Sequence, residues 1–144
     1  MPSYRSLFEE KIAKYLTDNK VKFTYEPFSY KYFTKVRGTS CNKCGSDDVS
    51  KERWYTPDFV LTNGVIIEAK GNLKPGNRSA YLDVLNTSEL VNRANFRILF
   101  QRNNRFGATR KRTGDRNTYE GWADKNGIIC HTSALGHIPQ EWVV

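Results

Sequence analysis

Apolar residues recur along this chain with two different periods, and the switches between them divide it into elements. From Ser3 to Asp18, Tyr4, Leu7, Phe8, Ile12, Tyr15 and Leu16 fall at helical spacing while Glu10, Lys14 and Thr17 lie elsewhere. That spacing predicts an amphipathic helix, ended by Asn19-Lys20. Between Val21 and Tyr32 the period becomes two, with Val21, Phe23, Tyr25 and Phe28, Tyr30, Tyr32 on either side of Pro27. This predicts strand, with Pro27 at an edge or a bend. The pattern fails over residues 38–53, where Gly38, Ser40, Cys41, Cys44, Gly45, Ser46, Asp47 and Asp48 predict a polar loop. Two apolar runs follow, Phe59-Val60-Leu61 and Val65-Ile66-Ile67, joined by Thr62-Asn63-Gly64, which reads as a hairpin. Gly71, Pro75 and Gly76 predict another loop, Ala80 to Leu90 a helix, and Phe96 to Phe100 a strand. Beyond a basic loop at 101–117, a short helix is expected at Thr118 to Lys125, a strand at Gly127 to His131 and a docked turn at Pro139 to Val144. No repeat or low-complexity tract interrupts this order, which predicts a single mixed α/β domain over residues 1–144.

Composition narrows the class. With 144 residues, 38% hydrophobic and 26% charged, the chain can bury one real core. No stretch approaches the roughly 20 apolar residues that span a bilayer. The first residues, Met1 to Arg5, lack the apolar run of a secretory signal. Three cysteines, an odd number, argue against a disulfide scaffold and for a reducing compartment, so a cytoplasmic protein with no membrane partner is expected. The net charge of +8 suits a polyanion, because each cation that meets a phosphate releases counterions.

Candidate chemistry concentrates in the hairpin. Asp58 and Glu68 are separated by nine residues, and Lys70 follows Glu68 by two, on the same strand face. Hydrolysis of a phosphodiester needs a hard cation to neutralise the phosphate and to lower the pKa of water, and two carboxylates on neighbouring strands can hold one. Lys70 can orient the water or stabilise charge on the phosphorane. Convergence depends on the turn. A two-residue loop at Asn63-Gly64 pairs Asp58 with Ala69 and sends the two acids to opposite faces. A three-residue loop, Thr62-Asn63-Gly64, pairs Leu61 with Val65 and Asp58 with Glu68, and places Gly at the left-handed position it favours. The nuclease reading therefore requires the three-residue loop. As a plain alternative, the three residues would lie on a solvated face with Glu68 paired to Lys70.

A third carboxylate is available on the first helix. Glu9 falls beside Ile12 and Leu16 at the rim of the apolar face, whereas Glu10 points away. The competing role for Glu9 is a capping box, Ser6-x-x-Glu9.

At these residues the sequence resembles the phage endonuclease I family, the Holliday-junction-resolving enzymes of the PD-(D/E)xK nuclease superfamily. The resemblance is carried by Arg5-Ser6-Leu7-Phe8-Glu9-Glu10-Lys11, Lys22-Phe23-Thr24-Tyr25-Glu26, Tyr55-Thr56-Pro57-Asp58-Phe59, Asn63-Gly64 and Glu68-Ala69-Lys70-Gly71. It continues with Phe96-Arg97-Ile98-Leu99-Phe100 and Ile138-Pro139-Gln140-Glu141-Trp142. The resemblance implies a restriction-endonuclease-like mixed sheet flanked by helices. It implies Mg²⁺ or Mn²⁺ at Asp58 and Glu68, with Glu9 as the helix-borne carboxylate, assistance from the Ala69 carbonyl, and Lys70 in catalysis. It also implies a homodimer with exchanged N-terminal elements, each site joining Glu9 of one chain to Asp58, Glu68 and Lys70 of the other, and paired nicks in four-way or other branched DNA.

One segment departs from that family. Cys41-x-x-Cys44-Gly45, within residues 38–53, is half of a zinc knuckle and needs two more ligands, from Cys130, His131 and His137 or from a second copy of Cys41 and Cys44. Without metal the two are free thiols in a loop. A second feature outside the hairpin is the tract 102–116, with Arg102, Arg105, Arg110, Lys111, Arg112 and Arg116 against Asp115, net +5. It suits phosphate contacts near a branch point, or else is merely solvated. Trp54, Trp122 and Trp142 read as core or interface aromatics. The expectation is a metal-dependent endodeoxyribonuclease. Its rivals are a nuclease of the same superfamily acting on duplex or mismatched DNA and a non-catalytic zinc-containing DNA-binding module.

Overall fold

Ser6 opens the first helix: its Oγ accepts the Glu9 N–H at 3.2 Å, and helix α1 runs Leu7–Asp18. Periodicity predicted a start at Ser3, but the capping residue is extended (φ −147°, ψ 159°), and Tyr4 instead packs its ring on Tyr25 and Phe59. These elements come from a computed structural model that describes residues 3–36, 49–107 and 117–144.

The alternating aromatics form two strands, β1 (Phe23–Tyr25) and β2 (Tyr30–Val36), parted around Pro27 as expected. The predicted loop 38–53 needs correction over its last residues, which belong to β3 (Val49–Tyr55). This strand pairs antiparallel with β2 from Tyr30↔Tyr55 to Val36↔Val49. Its polar members, Ser50, Lys51, Glu52 and Arg53, show no apolar face from which a sequence pattern can be read; the partner strand makes it a strand. The knuckle residues Cys41 and Cys44 lie outside the described residues.

The hairpin is formed by β4 (Phe59–Leu61) and β5 (Ile66–Lys70), followed by α2 (Pro75–Thr87) and β6 (Phe96–Phe100). Helix α2 starts five residues before its predicted position. Pro75, read from sequence as a loop residue, sits in the first turn, where its fixed φ and missing N–H cost nothing. A short pair, β7 (Arg105–Phe106) with β8 (Asn117–Thr118), arises in the predicted basic loop and takes in Thr118, predicted as the first helical residue. Then come α3 (Tyr119–Lys125), capped by Thr118, β9 (Ile129–Thr132) and α4 (Gln140–Val143).

Five strands make the main sheet in the order β1-β4-β5-β6-β9, antiparallel on the β1 side and parallel from β5 to β9. Alternation along each strand feeds two cores. Phe59, Ile67 and Leu99 face Phe8, Ile12 and Leu16 of α1 and Trp142 of α4. Ile66, Ile98 and Phe100 face Tyr81, Val84 and Leu85 of α2 and Ala123 of α3. Helices thus cover both faces, and strands buried twice read as continuous apolar runs. The β2–β3 ribbon is tied to α2 by Thr34 Oγ1 donating to Asp83 (2.7 Å) and the Phe33 N–H donating to Thr87 Oγ1 (2.8 Å). Among the described residues no helix is long and apolar enough to cross a membrane.

The decisive turn has three residues. Phe59 pairs with Ile67 and Val60 with Ile66, while the Leu61 N–H donates to the Val65 carbonyl at 2.9 Å. Gly64 closes the loop at φ +89°, the left-handed region that favours glycine.

Candidate active site

Continuing that register one step brings Asp58 opposite Glu68, at the end of the sheet where the parallel strands finish. In open sheets this end is where ligands gather. The junction is held by the Ala69 N–H, which donates to Asp58 Oδ2 at 2.8 Å, and by the Glu26 N–H, which donates to the Asp58 carbonyl at 2.9 Å. Glu68 is 7% exposed. Its Oε1 accepts the Tyr55 hydroxyl at 2.9 Å and its Oε2 the Tyr81 hydroxyl at 2.8 Å. Tyr55 ends β3 and Tyr81 lies on the buried stripe of α2, so three separate elements meet on one carboxylate. Lys70, two residues on, places Nζ 5.8 Å from the centre of the Tyr81 ring.

Two acids in hydrogen-bonding contact away from water cannot both ionise cheaply. Burial, then the charge of Glu68, then that of Glu9 push the Asp58 carboxyl up to about 9, against the pull of the Ala69 N–H. Burial also raises Glu68, while the Tyr81 and Tyr55 hydroxyls and the Lys70 ammonium pull it down. Burial and the adjacent carboxylates keep both tyrosines protonated and therefore donating. Two buried hard oxygen donors that resist ionising together are the donor set that suits a divalent oxophilic cation, so Asp58 and Glu68 fit the metal that the resemblance implies. Ala69 takes part through its N–H on Asp58.

Glu9 reaches this region from α1, across the sheet from α2. It is 6% exposed, and its Oε2 accepts the hydroxyls of Ser6 at 3.2 Å and Tyr25 at 3.3 Å. Burial, chiefly, pushes the Tyr25 phenol up to about 12, which keeps it a donor. The cap and the approach to the site are therefore both realised: the Glu9 backbone serves the helix start, and its side-chain charge bears on Asp58. Glu10 is exposed, as its helical position predicted. Among the described residues no three His, Cys, Asp or Glu side chains gather as a metal-binding cluster, and the charge of Glu9 reaches Asp58 from α1.

Of the basic tract, Arg102 and Arg105 are exposed, whereas Arg110, Lys111, Arg112 and Arg116 lie outside the described residues. Cys130 is free, and burial chiefly pushes its thiol up to about 12. His131 is edge-on to Trp142 and His137 stacks on Tyr15. Trp142 is buried and Trp122 half-buried, as expected of core aromatics, but Trp54 is 60% exposed. Sequence reasoning missed Tyr25, Tyr55 and Tyr81 as partners of the acids. Tyr55 stands three residues before Asp58 in the aromatic block, yet an alternating or helical apolar pattern cannot distinguish a packing tyrosine from one that donates.

The raised carboxyls give a pH signature. Both folded pKa values lie above the unfolded ones, so the associated stability is fully present below about pH 4, and the Asp58 share is lost as pH rises towards about 9. The metal-free protein should melt progressively lower across that window. Mg²⁺, competing with the proton, should raise the melting temperature more at about pH 8 than at about pH 5. Thermal denaturation with Mg²⁺ or chelator at both pH values checks this; an equal increment at both would contradict it.

Proteins similar to this chain include phage nucleases. The family model described as Phage endonuclease I matches residues 1–144, and the chain belongs to that family. Endonuclease I of Escherichia phage T7 is 28% identical over 141 residues, covering 98% of this chain and 78% of that protein. Endodeoxyribonuclease 1 of Enterobacteria phage T3 is 27% identical over 127 residues, covering 88% of this chain and 70% of that protein.

Proposed function

We propose that this phage-type endonuclease is a metal-dependent endodeoxyribonuclease that resolves four-way and other branched DNA by paired nicks, on a restriction-endonuclease-like PD-(D/E)xK core. The observation that carries this reading is the three-residue turn, which sets Asp58 against Glu68 with Lys70 on the same strand face. Asp58 and Glu68, with Glu9 close by, would hold Mg²⁺ or Mn²⁺. When bound, the cation supplies neutralisation of the phosphate and a lowered pKa for water. The Ala69 N–H fixes the Asp58 oxygen, and the tyrosines fix those of Glu68. Lys70 donates to the phosphate oxygen on which charge develops, and burial of the acids excludes competing water.

The partner is branched DNA, approached by Arg102, Arg105 and the cations at Arg110, Lys111, Arg112 and Arg116. The working form is a homodimer, since a four-way junction needs two nicks. Exchange of the segment ending at Val36 would exchange α1, and with it Glu9, between two chains without changing the contacts that α1 makes. Zinc at Cys41 and Cys44 belongs to the same reading as a structural cofactor.

The test is Mg²⁺-dependent cleavage of a synthetic four-way junction beside its component duplexes. Wild type should nick the junction in preference, and Lys70→Ala should slow this by about 10²–10³-fold. Equal cutting of junction and duplex would favour the duplex-nuclease reading. No nicks under any divalent metal would leave only a DNA-binding module.

A further inference from the structure

We infer that Tyr55 and Tyr81 are positioning residues for the metal-binding carboxylate of Glu68, with the Tyr81 ring also setting Lys70, so that helix α2 is part of the catalytic apparatus. The inference rests on the proposed metal site. The terminal torsion of a glutamate is soft and roughly two-fold, so an unassisted carboxylate would rotate about it. Here each oxygen accepts one hydroxyl, Oε1 from Tyr55 at 2.9 Å and Oε2 from Tyr81 at 2.8 Å. Two donors on two oxygens fix the carboxylate plane, and each oxygen keeps a further lone pair for a cation. The donors come from rigid places: Tyr55 is 8% and Tyr81 4% exposed, and both rings pack against Phe96 of β6, with centroids 6.1 and 5.7 Å away.

Tyr81 has a second contact. Lys70 Nζ lies 5.8 Å from its ring centre, within reach of a cation–π attraction that holds the ammonium on the Glu68 side of the strand. One aromatic side chain thus indexes the Glu68 carboxylate and the Lys70 ammonium to each other. A tyrosine needed only for packing would not require its hydroxyl, and phenylalanine would serve at both positions. The hydroxyls are placed where partners of ligating groups act, and loss of such a partner typically lowers metal affinity about 10–100-fold.

The test uses the full-length protein with Mn²⁺ as probe and compares wild type, Tyr55→Phe and Tyr81→Phe. Mn²⁺ affinity without DNA is read by calorimetry, and junction cleavage by titration of Mn²⁺. Each variant should bind Mn²⁺ about tenfold more weakly, and its cleavage should recover towards wild type as Mn²⁺ is raised, which a packing defect would not allow. Tyr81→Leu, which also removes the ring beneath Lys70, should stay slow at saturating Mn²⁺. If both phenylalanine variants keep Mn²⁺ affinity within about twofold of a wild type that binds and cleaves, the positioning role is overturned and the nuclease reading survives. A wild type that neither binds Mn²⁺ nor nicks DNA overturns both.

Discussion

Glu68→Gln should abolish junction cleavage, by at least about 10³-fold, while leaving the metal-free protein as stable as wild type or more so. The two effects have one cause. Glu68 is buried beside Asp58, and burial raises its carboxyl pKa even with two tyrosine hydroxyls and a lysine acting to lower it. In the folded protein its negative charge is therefore costly without a cation, and the neutral amide removes that cost. The amide oxygen still accepts from one tyrosine, and the other hydroxyl can accept from the amide group. What glutamine cannot supply is the charge that holds a divalent cation beside the scissile phosphate. Side-by-side measurement of cleavage rate and metal-free melting temperature at about pH 8 checks both effects. Cleavage within about tenfold of wild type would remove Glu68 from the site; a large fall in melting temperature would mean that its charge is structural.

Phe59→Ala should destabilise the domain by about 3–5 kcal/mol. Phe59 is fully buried and adjoins the rings of Tyr4, Phe23 and Tyr25 at centroid distances of 6.4, 5.5 and 5.4 Å. Truncation leaves a void between α1 and the sheet that these rings can only partly fill. In a chain of this size the expected fall in melting temperature is about 10–17 °C. Because Phe59 follows Asp58 and seats the Tyr25 ring whose hydroxyl reaches Glu9, activity should fall at temperatures where the variant remains folded. A loss below about 1 kcal/mol by denaturant titration would show that this side of the sheet repacks freely.

Residues near one another in the chain were read correctly because their geometry is set locally. The alternation through Phe59 and Ile67, with Gly64 at the end of a three-residue loop, fixes which side chains share a face. Asp58, Glu68 and Lys70 were therefore legible as a group before any tertiary contact was known. The stripe of α1 and the strand Phe96–Phe100 were legible for the same reason, although the periodicity began the helix at Ser3 and the cap at Ser6 sets its start. Strand β3 was not, because its polar residues become a strand only by pairing with β2, a partner choice that no period along the chain records. The start of α2 was hidden by Pro75, which marks a loop or a first turn equally well.

The environment of the acids was the larger gap. The sequence by itself supplied the acids and the lysine and narrowed the turn to two registers, of which the structure shows the three-residue one that aligns them. Only the tertiary structure decided that Glu68 would be clasped by hydroxyls from β3 and α2, and that Glu9 would bring its charge to bear on Asp58 from across the sheet. The physical reason is range: backbone pitch and turn geometry act over a few residues, whereas burial and charge depend on which distant elements the fold packs together.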